Sequence, residues 1–323
     1  MVALGYAISS EELHPNEAIA AAQKAESLGF TFSLISDHYH PWVDAQGHSP
    51  FVWNVLGGIA ATTKTLKIGT GVTCPTIRIH PAILAQAAAT TGAMMEGRFF
   101  FGVGTGENLN EHILGDRWPS FDKRLEMLEE AIEVIRLLWQ GGEQSHEGKY
   151  YTVENARIYT LPEQPVPIMI AASGEKTATL ASEVADGLIN TGPDAEIVKI
   201  FEKNGKSKNR PKYGQVGVCC HEDTATARKI AHEIWPIAGF KGQLNQELAT
   251  PSQFEGAAKM VTEDDVAENI ICGNDPDAHL EAIQKYVDAG YDHIYIHQIG
   301  HDQQPFFDFY EKTILPVFKK EFA

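Results

Sequence analysis

The sequence contains no apolar run of about 20 residues, so no segment has the length and hydropathy of a membrane-spanning helix. Positive charge is also scarce: 26 lysines and arginines stand against 43 aspartates and glutamates, which gives a formal net charge of -17 at pH 7. This acidic excess argues against nucleic acid or an anionic membrane as the main partner. It does not exclude a phosphorylated ligand, since backbone N–H groups at a helix N-terminus bind phosphate without side-chain charge.

Cysteine is scarce as well, and the four cysteines show no Cys-x-x-Cys spacing. They are Cys74, Cys219, Cys220 and Cys272. A neighbouring pair such as Cys219 and Cys220 rarely bridges, so we expect reduced, structural thiols. The N-terminus has no basic segment before an apolar stretch, and Glu11 and Glu12 arrive early, which argues against a signal peptide. We therefore expect a cytoplasmic protein.

Short apolar runs alternate with helical periodicity along most of the 323 residues. The pattern predicts eight strands, at residues 3–8, 32–35, 66–73, 98–103, 167–171, 187–191, 213–220 and 293–298. Strands that alternate with helices imply a parallel sheet with right-handed crossovers. The strand count favours an α/β fold closed as a (β/α)8 TIM barrel, with an open doubly wound sheet as the alternative.

Two segments interrupt this rhythm. Residues 148–161 alternate apolar and polar side chains, which predicts an inserted hairpin. Residues 237–267 are typical of an insertion that is rich in short helices. Because no internal repeat or flexible linker is visible, the chain is predicted to be a single domain, 1–323, with insertions near 148–161 and 237–267.

The most informative motif is residues 36–42, which follow the second predicted strand and include Asp37, His38, His40 and Trp42. In a barrel, chemistry takes place where the strands end. Histidine moves protons near neutral pH, and tryptophan forms the flat wall of a pocket. An ordinary solvated loop is the alternative interpretation of this motif alone.

A second motif, residues 102–112, also follows a strand and begins Gly-x-Gly-x-Gly-Glu. It is followed by a loop rather than a helix, which is not typical of a nicotinamide-binding fingerprint. Its glycines let the backbone approach a flat ligand closely, with the carboxyl group of Glu107 beside it. Residues 71–75 combine glycine and proline at a strand end, which indicates a bulge or an unusual peptide geometry there.

His38 and His40 have the His-x-His spacing of a metal pair, but a metal site needs further ligands from later strands. The fifth and sixth strands end in Ala172-Ser173-Gly174 and Thr191-Gly192, which supply no imidazole, carboxylate or thiol. We therefore predict no metal site. The glycine-rich turn before residue 175 opens a helix, so it is either an ordinary helix start or a phosphate site.

These motifs resemble the luciferase-like superfamily of flavin and deazaflavin oxidoreductases, and most closely its branch related to glucose-6-phosphate dehydrogenase that uses coenzyme F420, a deazaflavin. The resemblance runs over essentially the whole chain, through residues 36–42, 69–76, 80–86, 102–107, 110–111 and 186–187. It implies a (β/α)8 TIM barrel of the bacterial luciferase-like type with the deazaflavin at the C-terminal ends of the strands. FMN, as in a luciferase-like monooxygenase, is the alternative cofactor.

The resemblance also implies residue roles. His38 would exchange a proton with the substrate oxygen, Glu107 would be the second acid–base group near the ring, and Trp42 would wall the substrate. The implied cofactor contacts are Asp37, Gly71, Val72, Thr105, Gly106, Glu107, Asn110, Ala172, Ser173, Gly174 and Thr191. The resemblance further suggests a homodimer.

The chain departs from this branch at the substrate phosphate. Relatives of this kind hold the phosphate with two lysines and an arginine, whereas the matching places here are Asp194, Gly256 and Asn269. Lys241 and Lys259 lie in the insertion and are candidates to replace them. We expect an alcohol or carbonyl substrate other than glucose-6-phosphate, with a sugar-phosphate dehydrogenase that has an altered phosphate site as one alternative. A protein that binds the cofactor without turnover is another.

Overall fold

The computed structural model describes residues 2–203, 205 and 208–322. Among these residues the chain forms eleven strands. They are Ala3–Ile8 (β1), Phe32–Ile35 (β2), Lys67–Thr70 (β3), Phe99–Val103 (β4), Gln144–Glu147 (β5), Thr152–Ala156 (β6), Ile168–Ala171 (β7), Gly187–Asn190 (β8), Lys212–Cys219 (β9), Ile271–Cys272 (β10) and His293–Gln298 (β11).

Eight of these strands close into a parallel barrel. Their order is β1, β2, β3, β4, β7, β8, β9 and β11, and β11 pairs in parallel with β1 to complete the ring. The pairing of β8 with β9 is part of the same ring, at Leu188 with Lys212. The predicted (β/α)8 barrel is therefore confirmed, and the open doubly wound sheet is wrong.

The helices lie between the strands and around the ring. They are Pro15–Leu28 (α1), Val52–Thr62 (α2), Pro81–Met94 (α3), Asn108–Glu111 (α4), Phe121–Leu138 (α5), Glu175–Val184 (α6), Ala195–Glu202 (α7), Thr224–Ile234 (α8), Leu244–Glu247 (α9), Pro251–Ala258 (α10), Glu263–Ala267 (α11), Pro276–Asp288 (α12), Gln304–Phe309 (α13) and Leu315–Glu321 (α14). A π-helical turn, Tyr310–Ile314, joins α13 to α14. Among the described residues, no helix is long and apolar enough to cross a membrane.

Helix α1 shows how local sequence sets these boundaries. The side chain of His14 accepts a hydrogen bond from the backbone N–H of Asn16, and Glu17 accepts one from the backbone N–H of His14. Pro15 occupies the first helical position, where its missing N–H has no cost. Gly29 ends the helix in the left-handed region at φ 91°, which glycine adopts without steric penalty.

Two apolar layers hold the barrel together. Alternate residues of the strands point inward, so that Phe32, Phe100, Tyr213 and Tyr295 belong to one buried cluster inside the ring. Gly69 makes room for this packing, because a Cβ there would lie 2.0 Å from the ring of Phe100. The other side chains of the strands pack against the helices in a larger outer core. The interior is therefore filled, and ligands are confined to the ends of the strands.

The two segments that were predicted to be insertions differ from the prediction in their secondary structure. The hairpin is formed by β5 and β6 over residues 144–156, so the predicted start at residue 148 is too late. The reason is that β5, with sequence Gln-Ser-His-Glu, carries no apolar alternation. Residues 237–267 contain the short helices α9, α10 and α11, as predicted, whereas the two-residue strand β10 has no sequence signal.

Candidate active site

A cavity opens where the barrel strands end. Most of the predicted site residues line it together, since they follow β2, β3, β4, β7 and β8. These residues are Asp37, His38, Gly71, Val72, Thr105, Gly106, Glu107, Asn110, Ala172, Ser173 and Thr191. Gly174 lies outside this lining and precedes α6 as its N-terminal cap residue. Trp42 lines an adjoining cavity, which it shares with His38 and Glu107.

His38 lies between two carboxyl groups. Its Nδ1 atom is 3.3 Å from Oε1 of Glu11, and its Nε2 atom is 3.4 Å from Oε2 of Glu107. The backbone oxygen of His40 is also 3.3 Å from Nδ1. The ring of Trp42 packs beside the imidazole, with the two ring centroids 5.0 Å apart. This arrangement orients Nε2 toward Glu107 and the cavity.

Glu11 is a member of this group that the sequence motifs did not identify. It follows β1 and is buried, and its Oε2 atom accepts hydrogen bonds from Ser36 at 2.6 Å and from Ser9 at 2.9 Å. Its position three residues after a barrel strand is the sequence signal that could have found it. The two hydroxyl groups fix the carboxylate that faces His38.

The pKa values of this group follow from burial and from each other's charge. Burial alone would lower the pKa of His38, but the carboxylates of Glu11, Glu107 and Asp37 raise it above its ordinary value. Burial opposes the charged form of Glu11, yet His38, Ser36 and Ser9 hold its pKa below the ordinary value. The pKa of Glu107 is raised, mainly by burial and further by the charge of Glu11. The site therefore combines an imidazole with one ionised and one more readily protonated carboxyl group.

Asp37 is held by a buried ion-pair network under the cavity. Thr73 donates to its Oδ2 at 2.8 Å, and the Arg78 guanidinium donates to its Oδ1 at 2.8 Å. Arg78 also lies 3.5 Å from Oε1 of Glu111, whose Oε2 accepts from the Arg78 backbone N–H. Burial raises the pKa of Glu111 to about 7. Sequence motifs missed Arg78 because its partners come from two other strand ends.

The residues that line the main cavity fit a flat ring with a phosphorylated tail. The peptide bond between Gly71 and Val72 is cis, which agrees with the unusual geometry predicted for this strand end. Gly104 and Gly106 line the same cleft, and Gly106 adopts a φ of 79°. A Cβ at Gly174 would meet nothing within 4 Å, so the backbone before α6 is open to a ligand. Among the described residues there is no group of three potential metal ligands.

A larger cavity, called the second cavity below, extends away from the main cavity, which is called the ring cleft. Trp42, Glu107, Thr191, Gln215, Trp235 and His297 line the end that faces the cleft. The lining also includes residues of the 237–267 insertion, among them Phe240 and Asn245. The site thus consists of the ring cleft and a separate second cavity, and the two share Glu107, Thr191 and Gln215.

The three places that match the relatives' phosphate ligands carry no cation here. Asp194 accepts hydrogen bonds from the N-terminal N–H groups of α7, and Gly256 lies on α10. Asn269 lines the second cavity and donates to the backbone oxygen of Ala238. Lys241 and Lys259 are exposed and lie outside the described lining of this cavity.

Comparisons with known proteins agree with this geometry. The profile of the luciferase-like monooxygenase family matches residues 2–293. The F420-dependent glucose-6-phosphate dehydrogenase of Microbacterium testaceum is 39% identical over 330 residues, covering 99% of this chain and 98% of the relative. The enzyme of the same name from Nakamurella multipartita is 36% identical over 325 residues, covering 98% and 96%.

A solved structure is similar as well. It is an F420-dependent secondary alcohol dehydrogenase in complex with an F420–acetone adduct. It superposes with a TM-score of 0.90 at 28% identity, and the match covers 98% of this chain and 99% of that chain.

Proposed function

The chain belongs to the luciferase-like monooxygenase family, and on that premise we propose that it is an F420-dependent oxidoreductase acting on an uncharged alcohol or the corresponding carbonyl compound. The observation that carries the proposal is the position of His38, which is held between Glu11 and Glu107 and lines both the ring cleft and the adjoining cavity that contains Trp42. The predicted oxidoreductase class and the predicted F420 agree with the similar enzymes, which are F420-dependent dehydrogenases.

The cleft residues would hold the cofactor in two parts. Gly71, Val72, Gly104 and Gly106 leave room for the face of a ring, since they present backbone or small side chains. Ser173 and the open backbone at the start of α6 would bind the phosphorylated tail through N–H and hydroxyl groups. When bound, the deazaflavin supplies a carbon centre that accepts or donates a hydride.

His38 supplies the proton transfer that alcohol oxidation requires. A carbinol carbon that loses a hydride becomes a carbonyl only if the hydroxyl proton also leaves. With Nδ1–H held by Glu11 and the backbone oxygen of His40, the free Nε2 atom of neutral His38 accepts this proton. Glu107, whose pKa is raised, faces the same space and would neutralise charge that develops near the ring. Trp42 would form the wall that keeps the substrate against His38.

The electrostatics of the second cavity favour an uncharged substrate. Lys285 is the one lysine or arginine among the described residues that line it, and the carboxyl groups of Glu107 and Glu268 line it too. A phosphate dianion binds best to several convergent cations, and a nearby carboxylate repels it. The curated relatives are named for glucose-6-phosphate, so a sugar-phosphate dehydrogenase with an altered phosphate site is the alternative that the test must address.

A matched pair of sugars tests this proposal. The protein is mixed with oxidised F420 and with glucose, glucose-6-phosphate or isopropanol, and loss of the oxidised deazaflavin absorbance is followed. We expect reduction by an uncharged compound, with kcat/KM for glucose-6-phosphate at least about tenfold below that of the better uncharged substrate, because the cavity lacks a cation cluster. FMN in place of F420 is the cofactor control. Preference for glucose-6-phosphate over glucose would overturn the substrate class, and turnover with FMN and oxygen would overturn the cofactor.

The pH dependence of the reaction should report Glu11. For alcohol oxidation His38 must be neutral, so kcat/KM should rise as pH passes its pKa, which lies above the ordinary value. Glu11→Gln removes one of the charges that raise this pKa, while its amide oxygen can still accept from Nδ1–H. We therefore expect the midpoint of the pH profile to move to lower pH. The measurement is kcat/KM against pH for both proteins, and an unchanged midpoint would contradict the assigned role of Glu11.

The homodimer, the cytoplasmic location and the single-domain organisation stay predictions. We further propose that the 237–267 insertion determines substrate choice, because its residues line the second cavity. Exchange of residues 237–267 with those of a sugar-phosphate relative is the direct measurement for that last point.

A further inference from the structure

A second buried histidine–carboxylate pair lies beside the substrate cavity, apart from His38. Oε2 of Glu12 is 2.8 Å from Nε2 of His297, and Oε1 of Glu12 accepts from the backbone N–H of Gly300 at 2.6 Å. Both side chains are almost fully buried. On its other side, Nδ1 of His297 lies 3.4 Å from Nε2 of Gln215. The three side chains form a linear chain of hydrogen bonds that ends at the cavity.

This chain of hydrogen bonds determines whether the oxygen or the NH2 group of the Gln215 side chain faces the cavity. Oε2 of Glu12 is the acceptor that faces Nε2 of His297, and an imidazole that donates through Nε2–H alone leaves Nδ1 as an acceptor. An acceptor at Nδ1 requires the NH2 group of Gln215, which turns the Gln215 Oε1 atom away from the histidine. Among the described residues, that oxygen accepts no hydrogen bond.

Gln215 lies where the two cavities meet. It lines the ring cleft, the pocket that contains His38 and Trp42, and the larger substrate cavity. We propose that Gln215 is a specificity-determining residue, fixed by Glu12 and His297 so that its carbonyl oxygen accepts a hydrogen bond from a second hydroxyl group of the substrate. The proposed ligand is therefore a diol or an unphosphorylated polyol rather than a simple monoalcohol.

This inference rests on the proposed function and narrows its substrate class. A polar acceptor that is preorganised in a partly buried pocket discriminates against an analogue that lacks the matching donor, because the acceptor is then left without a partner. An oxygen acceptor also adds no attraction for a phosphate group, which agrees with the absence of a cation cluster among the described lining residues.

Binding of a matched pair of ligands to the F420-loaded protein tests the proposal. Propylene glycol carries a second hydroxyl donor, and its primary methyl ether keeps the oxygen but loses the donor. Trp42 and Trp235 line the cavity, so quenching of their fluorescence reports the dissociation constants. We expect the glycol to bind about tenfold more tightly than the ether in the wild-type protein, and Gln215→Leu to abolish that preference.

Glu12→Gln is the more informative variant. It should exchange donor and acceptor at each hydrogen bond of the chain from residue 12 through His297 to Gln215, while every group in the chain keeps a partner. The new amide oxygen can keep the Gly300 N–H, so its NH2 group would face His297 Nε2. His297 would then carry its proton on Nδ1, and the Gln215 amide would turn its NH2 group to the cavity. We expect the preference for the glycol over the ether to disappear or invert. Nitrogen NMR of the histidine side chains should show the change of tautomer at His297.

Each outcome decides the proposal. Equal binding of glycol and ether, failure to bind either, or a preference retained in Gln215→Leu would overturn it. A large loss of F420 affinity in Gln215→Leu would assign the carboxamide to the cofactor instead, which also overturns it. Should Glu12→Gln fail to fold, the Gln215 variant and the tautomer of wild-type His297 still test the assignment. None of these readouts requires hydride transfer, so inactivity toward all alcohols would defeat only the proposed function.

Discussion

Replacing His38 with alanine is expected to lower the rate of hydride transfer by about 100- to 10,000-fold, the usual contribution of a general acid–base group. The reason is geometric: Nε2 of His38 is the proposed proton acceptor, His38 lines both the ring cleft and the adjoining cavity that contains Trp42, and Oε2 of Glu107 lies 3.4 Å from Nε2. Because alanine leaves the glycine-lined cleft intact, F420 binding should be retained. Stopped-flow reduction of bound F420, together with a fluorescence titration of the cofactor, measures the two effects separately.

His40 provides the matched control. It is the same residue type two positions along the same loop, and its Nδ1 atom contacts the backbone oxygen of Leu109 rather than a carboxyl group. We expect His40→Ala to change the rate by less than about tenfold, since it removes no proton acceptor from the cavity. Equal losses in both variants would indicate that the loop, and not the His38 imidazole, is what the reaction needs. Full activity in His38→Ala would contradict the proposed role of His38 in proton transfer.

Replacing Arg78 with methionine is expected to cost about 3–5 kcal/mol of unfolding free energy near pH 7, the range for breaking a buried ion pair by removing one partner. The Arg78 side chain is buried between Asp37 and Glu111, so both carboxyl groups would lose the charge that compensates them. Urea denaturation of both proteins measures the difference. Loss of F420 binding should accompany it, because Asp37 lines the ring cleft.

The pH dependence of this loss of unfolding free energy distinguishes the loss of the Arg78 charge from the loss of side-chain packing. The pKa of Glu111 is raised to about 7 in the folded protein, above its ordinary value, so folding favours its protonated form. That contribution is present at low pH and is lost as pH rises through about 7. Without the Arg78 cation, ionised Glu111 loses its compensating charge, so protonation of Glu111 should make the loss of unfolding free energy smaller between about pH 7 and about pH 5.5.

Arg136→Met is the control for the same substitution at an exposed pair. Arg136 and Asp186 are about half exposed, and pairs of this kind contribute about 0–1 kcal/mol. We expect a correspondingly small change with little dependence on pH over this range. A deficit of equal size in Arg78→Met and Arg136→Met would show that the buried network does not carry the stability assigned to it.

The barrel and three residues of the candidate site, His38, Trp42 and Glu107, could be predicted from the sequence. Most barrel strands are short, largely apolar runs that are buried on both faces, so they contrast clearly with the amphipathic helices around them. His38, Trp42 and Glu107 could be found because each is an unusual side chain just after such a run. Their common location then follows from the parallel direction of the strands.

The supporting residues could not be predicted in the same way. Glu11, Glu12 and Arg78 are charged side chains that are ordinary at the surface, and only the parallel pairing of neighbouring barrel strands brings them to His38, His297 and Asp37. Strand β5 was missed because its stability comes from the pairing with β6 and from contacts with α5, not from an apolar pattern of its own. Long-range contacts thus decide what local patterns cannot.

The distribution of the site residues along the chain has a consequence for the divergence of such enzymes. The side chains assigned to proton transfer, Glu11, His38 and Glu107, lie in the first third of the sequence. Apart from Trp42 and Glu107, the lining of the second cavity lies between Thr191 and His297. Mutations in this later part can alter substrate preference while the proton-transfer group keeps its surroundings. Libraries randomised only there should yield new substrate ranges from a gene whose reaction type stays constant.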